Sequence, residues 1–199
     1  MDQHLDPMAE LIEEFQKMPT IGPKSAQRLA FYILSLENSE AQKISNAIKM
    51  VKEKMRYCSQ CFNITVNDPC EICTSPKRDK TTLCVVSDPK DLISVEKTRE
   101  YHGLYHILGG VISPLDGMTP ETLRIKELLH RIKDGQFKEI IMAINPTVEG
   151  EATMIYLGRL LSPLGIKITR IAYGIPIGGN IDYADEMTLA KSFEGRAKL

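Results

Sequence analysis

The apolar positions of the N-terminal quarter recur with helical spacing. Met8, Leu11, Ile12 and Phe15 fall at i, i+3, i+4 and i+7, lining one face of a helix. The stripe breaks at Met18-Pro19-Thr20-Ile21-Gly22-Pro23 and resumes with Ala26, Leu29, Ala30 and Ile33. A third stripe, Ile44, Ile48, Val51 and Met55, is flanked by Lys43, Lys49, Lys52, Lys54 and Arg56. Three short helices make a poor core alone, so residues 1–56 are expected to form a small module that leans on another body. Beyond a basic, proline-containing connector, Thr74–Lys80, the pattern changes. Leu83-Cys84-Val85-Val86 predicts a strand feeding a loop at Ser87-Asp88-Pro89, and Tyr105–Ile112 predicts another, with Gly109-Gly110 near its end. Thr119-Pro120-Glu121 has the N-cap, first-position proline and first-turn acid of a helix start. The stripe Ile125, Leu128, Leu129 and Ile132 continues that helix to Gly135. Strand Glu139–Ile144, helix Gly150–Leu161 and strand Lys167–Ala172 follow. Strands alternating with helices predict an α/β domain whose parallel sheet is joined by crossover helices.

Composition narrows the class without deciding it. The 199 residues are 43% hydrophobic and 26% charged, ordinary for a soluble globular protein. A net charge of −1 gives no global argument for nucleic acid, so such a surface must come from local clustering. No run of eighteen apolar residues occurs, and M-D-Q-H-L-D-P has neither a basic region nor an apolar core. The expectation is a cytoplasmic protein without signal peptide or membrane span.

Four of the five cysteines stand in one cluster. Cys58, Cys61, Cys70 and Cys73 form two C-x-x-C pairs separated by eight residues, with turn-forming Asp68-Pro69 just before the second pair. Each pair can fold into a knuckle that aims two thiolates at one point. Four thiolates satisfy tetrahedral Zn²⁺ and leave no open position, which predicts one structural zinc per chain. Two disulfides would need an oxidising compartment, and a redox role would need only one such pair. Cys84 lies inside an apolar run and reads as core.

The break between the first two helices has a more specific pattern than a linker. P-T-I-G-P-K-S-A-Q-R-L-A resembles the helix–hairpin–helix DNA-binding motif, whose usual form is P-G-I-G-x-x-x-A. In that motif the hairpin and the next helix start present backbone N–H groups to a phosphate, which free donors and the helix dipole favour. The resemblance assigns DNA contact to Ile21, Gly22, Lys24, Ser25 and Arg28. Thr20 stands where the motif has glycine, and threonine disfavours positive φ, which predicts a distorted first corner. Against this stands a Pro/Gly linker carrying solvated charges.

The stretch Asn145-Pro146-Thr147-Val148-Glu149-Gly150-Glu151-Ala152 follows an apolar strand and resembles the Toprim loop D-P-D-x-E-G-E-A of topoisomerases and bacterial primases. The family's two aspartates and a glutamate after the first strand hold Mg²⁺, which prefers hard oxygen ligands. Here Asn145 and Thr147 replace both aspartates, Glu149 and Glu151 remain, and Asp88 stands in place of the first-strand glutamate. Mg²⁺ affinity should fall sharply, leaving a degraded Toprim site available to a basic protein partner.

Helix–hairpin–helix, four-cysteine knuckle and degraded Toprim loop, in this order, resemble the RecR family of bacterial recombination mediators over essentially the whole chain. Supporting stretches include Glu100–His106, Gly109–Gly117, Gly174–Gly179, Tyr183–Glu186 and Glu194–Arg196. The resemblance implies a multi-module α/β chain: a helical helix–hairpin–helix module over 1–56, a C4-type zinc finger over 57–74, a Rossmann-like Toprim domain over 80–176, and a C-terminal segment over 177–199. That segment would carry a Walker B-like element around Gly174–Asp182 and subunit contacts. No G-x-x-x-x-G-K-[ST] loop accompanies it, so nucleotide hydrolysis is not inferred. The function implied is a non-enzymatic DNA-binding mediator in the repair of DNA damage by recombination. It would form a ring-like homotetramer, bind single- and double-stranded DNA without sequence preference, and act with RecO and RecF at the nucleoid to load recombinase on single strands. Two other classes stay open: a metal-dependent Toprim nuclease or primase-like enzyme using Asp88, Glu149 and Glu151, and a purely structural zinc protein.

Other residues have plain readings. His102 and His106 suggest packing or surface and not an acid–base couple. Glu149 and Glu151 open a helix, where the dipole favours acids regardless of function. Nine scattered methionines read as core filler.

Overall fold

The computed structural model describes residues 7–198. The chain divides into two compact units, Met1–Met55 and Arg56–Leu199. In the first, α1 (Pro7–Gln16) packs against α2 (Pro23–Ser35), and α3 (Asn38–Lys54) follows. Ala26 and Ala30 are fully buried on α2, small enough to let α1 approach closely, while Met8, Leu11, Ile12 and Phe15 are half-buried. The third stripe forms on α3 but stays uncovered: Ile44, Ile48 and Val51 are exposed and the helix buries no residue.

The second unit begins with a small hairpin, β1 (Arg56–Tyr57) antiparallel to β2 (Ile64–Thr65), and the one-turn helix α4 (Glu71–Thr74). The sheet domain follows as β3 (Asp79–Val86), α5 (Pro89–Thr98), β4 (Gly103–Ile107), α6 (Ile125–Asp134), β5 (Glu139–Ala143), α7 (Val148–Leu161), β6 (Lys167–Arg170) and α8 (Glu186–Glu194). The four strands are parallel in the order β4-β3-β5-β6. The chain therefore steps outward from β3 through α5, then crosses back over β3 through α6. Alternate residues of β3 serve opposite faces. Leu83 and Val85 join Ile140, Met142, Leu128, Ile132, Leu157 and Leu161 in one core, and Cys84 and Val86 join Leu92, Tyr105 and Ile107 in the other. The buried thiol of Cys84 is pushed up to about 12 by desolvation alone, as expected of inert core.

Several sequence-predicted boundaries shift. The second strand of the domain starts earlier than Tyr105 and stops at Ile107, because Gly109 (φ 86°) and Gly110 (φ 147°) turn the chain away. The helix marked by Thr119-Pro120 begins only at Ile125. Thr119 caps an isolated turn, accepting from the Thr122 and Leu123 N–H groups, and the Arg124 N–H is diverted to the Leu108 carbonyl at 2.9 Å. The helix after the Toprim-like loop starts at Val148, two residues early, because Thr147 caps it. The last strand ends at Arg170.

Candidate functional site

In the first unit, the turn between α1 and α2 is closed by Met18 N–H to Phe15 O (3.1 Å) and Ile21 N–H to Met18 O (3.2 Å). Thr20 adopts φ 69°, the left-handed geometry the motif assigns to glycine. The distorted corner expected from threonine is not found; the corner is formed and threonine carries the strain. Pro23 occupies the first turn of α2, and its N-cap Gly22 has no side chain to bond the free donors. The first helical bond across the cap is Ala26 N–H to Gly22 O at 2.9 Å. Among the described residues, the N–H groups of Gly22, Lys24 and Ser25 donate to nothing within the protein. The side chains of Lys24, Ser25 and Arg28 are exposed beside them, and Ile21 is half-buried. These are the donors and charges that a phosphate needs at a helix N-terminus.

In the second unit, Cys58, Cys61, Cys70 and Cys73 are buried with free thiols, and their sulfurs lie within 4.8 Å of one another. The Cys58–Cys73 and Cys61–Cys70 sulfur pairs stand at 4.0 and 3.5 Å. Sulfurs at the corners of a tetrahedron around Zn²⁺ would be about 3.8 Å apart, so the four donors are gathered at the spacing the metal takes. Knuckle geometry arises locally: Cys58 N–H donates to Asn63 O (2.7 Å), Phe62 N–H to Cys58 O (2.9 Å), and Thr74 N–H to Cys70 O (3.1 Å). The Asp68 carboxylate accepts from Ser59 N–H at 2.7 Å and ties one knuckle to the other. Asn63 N–H points at Cys61 Sγ (3.5 Å) and Cys70 N–H at Cys58 Sγ (3.3 Å), as in a site built for thiolates. The thiols share the site unequally. Burial opposes ionisation of Cys58, yet the Cys61, Cys70 and Gln60 N–H groups outweigh it and bring that thiol down to about 7. The bond to Cys73 raises Cys61, and burial pushes Cys70 up to about 11. Four sulfur ligands close the shell, so the zinc is structural.

The Toprim-like residues follow the C-terminal ends of β3 and β5, and three of them are engaged in structural work. Asp88 caps α5 in a reciprocal box with Asp91, and Lys90 stands 3.6 Å from its carboxylate. Thr147 caps α7, its hydroxyl accepting from Gly150 N–H at 3.1 Å. Glu151 pairs with Arg170 at 3.5 Å, and that guanidinium lies over the Tyr173 ring at 4.4 Å. Asn145 and Glu149 are exposed. Among the described residues, the four cysteines are the only group of three or more His, Cys, Asp or Glu close enough to share a metal, so Asp88, Glu149 and Glu151 are not gathered into one.

These features agree with comparison to known proteins. Residues 8–52 match the profile described as RecR, helix-hairpin-helix; residues 55–75 match the RecR four-cysteine zinc finger domain; residues 81–172 match Toprim domain; and residues 174–197 match RecR, C-terminal. The recombination protein RecR of Acidothermus cellulolyticus is 53% identical over 190 residues, covering 96% of each chain. That of Heliobacterium modesticaldum is 51% identical over 199 residues, covering both chains in full. The chain belongs to the RecR family. Its role is therefore in recombination and repair, and its four-cysteine finger is the family's zinc site.

Sequence reasoning passed over the side chains that fasten the RecR zinc finger to the sheet. Arg124 lies between the Phe62 and Tyr57 rings, 4.2 and 4.9 Å from their centroids. Ile107 N–H, on the outer edge of β4, donates to Cys61 O at 2.9 Å, so the finger covers that edge. His106 is fully buried, edge-on to Phe62, with Nε2 2.8 Å from Arg124 O; His102 is exposed. Arg78, in the basic connector, forms a paired contact with Glu96 and is largely buried, and Tyr105 donates to the same carboxylate at 2.6 Å. The Arg78 hydrogen bonds hold the Glu96 carboxyl below its ordinary value. No spacing rule reports such contacts, because the partners are far apart in sequence. Among the described residues no helix is long and apolar enough to cross a membrane.

Proposed function

We propose that this RecR-family chain is a non-enzymatic DNA-binding mediator that works with RecO and RecF to load recombinase onto single-stranded DNA in the bacterial nucleoid. The hairpin residues Ile21, Gly22, Lys24, Ser25 and Arg28 take the phosphate, and four modules over 1–56, 57–74, 80–176 and 177–199 divide the work. The observation that carries this reading is the left-handed Thr20 at φ 69° beside unpaired N–H groups at the start of α2. Phosphate contacts of this kind give affinity without base readout, hence binding to single and double strands alike. The absence of catalysis is supported by the neutral Asn145 and Thr147 and by the capping and ion-pair duties of Thr147, Asp88 and Glu151. Glu149, exposed on the first turn of α7, suits a basic partner such as RecO. A homotetrameric ring is supported by the uncovered stripe on α3 and by exposed Ile177, Ile181, Tyr183 and Phe193 in the C-terminal segment.

The test is Glu149→Gln assayed three ways. Cleavage and primer synthesis with Mg²⁺ or Mn²⁺ should be absent in wild type and variant. DNA binding should be equal in both, and recombinase loading in the presence of RecO should drop in the variant. Metal-dependent cleavage by wild type that disappears in Glu149→Gln would overturn the reading in favour of a Toprim enzyme.

A further inference from the structure

One side chain of the sheet domain reaches both knuckles of the zinc finger and the strand they cover. Arg131, on α6, donates through Nη1 to the Gln60 carbonyl at 2.9 Å and to the Tyr105 carbonyl, and its Nη2 stands 3.8 Å from Cys73 Sγ. Gln60 lies inside the first knuckle, Cys73 closes the second, and Tyr105 belongs to the strand the finger covers. One planar guanidinium therefore holds both knuckles against β4, a task its fork geometry permits and an ammonium's does not. Among the described residues Arg131 forms no ion pair with a carboxylate. Among the described residues its one side-chain acceptor is the Cys73 sulfur, which becomes a thiolate when zinc binds. Four thiolates around Zn²⁺ leave the centre net negative, and N–H donors and cations outside the ligand shell stabilise such a centre.

We propose that Arg131 is a positioning residue of the zinc centre. It donates to the Cys73 thiolate and offsets the centre's charge, so that retention of the metal by the finger depends on the sheet domain. The alternative is that Arg131 only fastens the finger through its two carbonyl bonds, and the two roles separate experimentally. Arg131→Met keeps the apolar stem and removes every donor; Arg131→Lys keeps the charge and loses the fork. Arg124→Met loosens the same attachment at Tyr57 and Phe62 without touching a sulfur.

In the full-length protein, Arg131→Met should release zinc faster to the chelator 4-(2-pyridylazo)resorcinol and hold it about tenfold to a hundredfold more weakly at equilibrium, the range seen when a partner outside the ligand shell is lost. Arg131→Lys should fall between this variant and wild type. With Co²⁺ in place of zinc, the sulfur-to-cobalt charge-transfer band should move to lower energy in both Arg131 variants, because a thiolate without its donor is more easily oxidised. Arg124→Met should leave that band in place. Should Arg131→Met not accumulate as folded protein, Arg131→Lys carries the test alone. Wild-type release and a wild-type band in the Arg131 variants that fold would overturn the assignment. So would a band shift in Arg124→Met equal to that in Arg131→Lys.

Discussion

Replacing Thr20 by glycine measures the strain held at the hairpin corner. Thr20 sits at φ 69°, its side chain is exposed, and among the described residues its hydroxyl makes no hydrogen bond, so the substitution removes no contact. An L-residue in this region pays about 1–2 kcal/mol because Cβ crowds the backbone. Glycine escapes that cost but loses about 0.5–1 kcal/mol more backbone entropy on folding. The midpoints of the two ranges differ by about 0.75 kcal/mol, so Thr20→Gly should be roughly 0.5–1 kcal/mol more stable locally. The chain has no tryptophan, so hydrogen exchange is a better probe than intrinsic fluorescence. The amides to follow are Met18, Ile21 and Ala26, which close the turn and the first bond of α2. Where they exchange by local opening, protection should rise about two- to fivefold, the equivalent of that free energy. DNA affinity should not fall, because the donors at Gly22, Lys24 and Ser25 keep their places. Protection that drops in Thr20→Gly would refute the reasoning, showing that threonine stabilises the corner.

Three further outcomes follow from other parts of the molecule. Protein purified without added metal should contain one zinc per chain by elemental analysis, and Cys61→Ser should lose it and open the Arg56–Thr74 region to protease; metal-free wild type or purified protein with disulfides would contradict this. Gly150→Ala should destabilise the sheet domain by about 1–3 kcal/mol in denaturant titrations, the range for overpacking. A Cβ there would stand 2.0 Å from the Asn145 carbonyl oxygen, which is backbone and cannot rotate away, so an unchanged midpoint would be inconsistent with the structure. Burial holds His106 down at about 4, against 6.5 for the free group, so between these values the unfolded chain binds a proton that the folded chain refuses. Its stabilising share is complete above pH 6.5 and shrinks as pH falls toward 4, by as much as about 3 kcal/mol. The stability difference between wild type and His106→Gln should vary with pH across that window, and a flat difference would contradict the burial.

The sequence was most informative where function is written in short spacings. Two C-x-x-C pairs and P-T-I-G-P-K each specify a local structure, and local hydrogen bonds then build it. Periodicity placed the sheet core because Leu83, Val85, Ile140 and Met142 alternate with residues for the other face. It misplaced the start of α6, where a strong cap signal at Thr119 loses to a bond from Arg124 N–H to Leu108 O. It assumed a strained Thr20 would distort the corner, whereas the turn's other bonds enforce the left-handed geometry. The long-range attachments were out of reach. Arg78 reads as surface charge until Glu96 and Tyr105 are brought to it, and Arg131 as a solvated helix residue until the finger folds over it.

The most direct test of the DNA-binding role is the salt dependence of binding by Lys24→Ala/Arg28→Ala, measured by fluorescence anisotropy beside light scattering on the same samples. Each hairpin that engages DNA loses two cationic contacts, so the slope of log affinity against log salt should flatten by about 1.4 on single strands and about 1.8 on duplex per hairpin engaged. Several hairpins in one oligomer would multiply the loss, because linked weak sites share an effective concentration. The prediction is weaker, less salt-sensitive binding at unchanged oligomer mass. Wild-type affinity and slope in the double variant would contradict it and leave the hairpin as a linker between two helices.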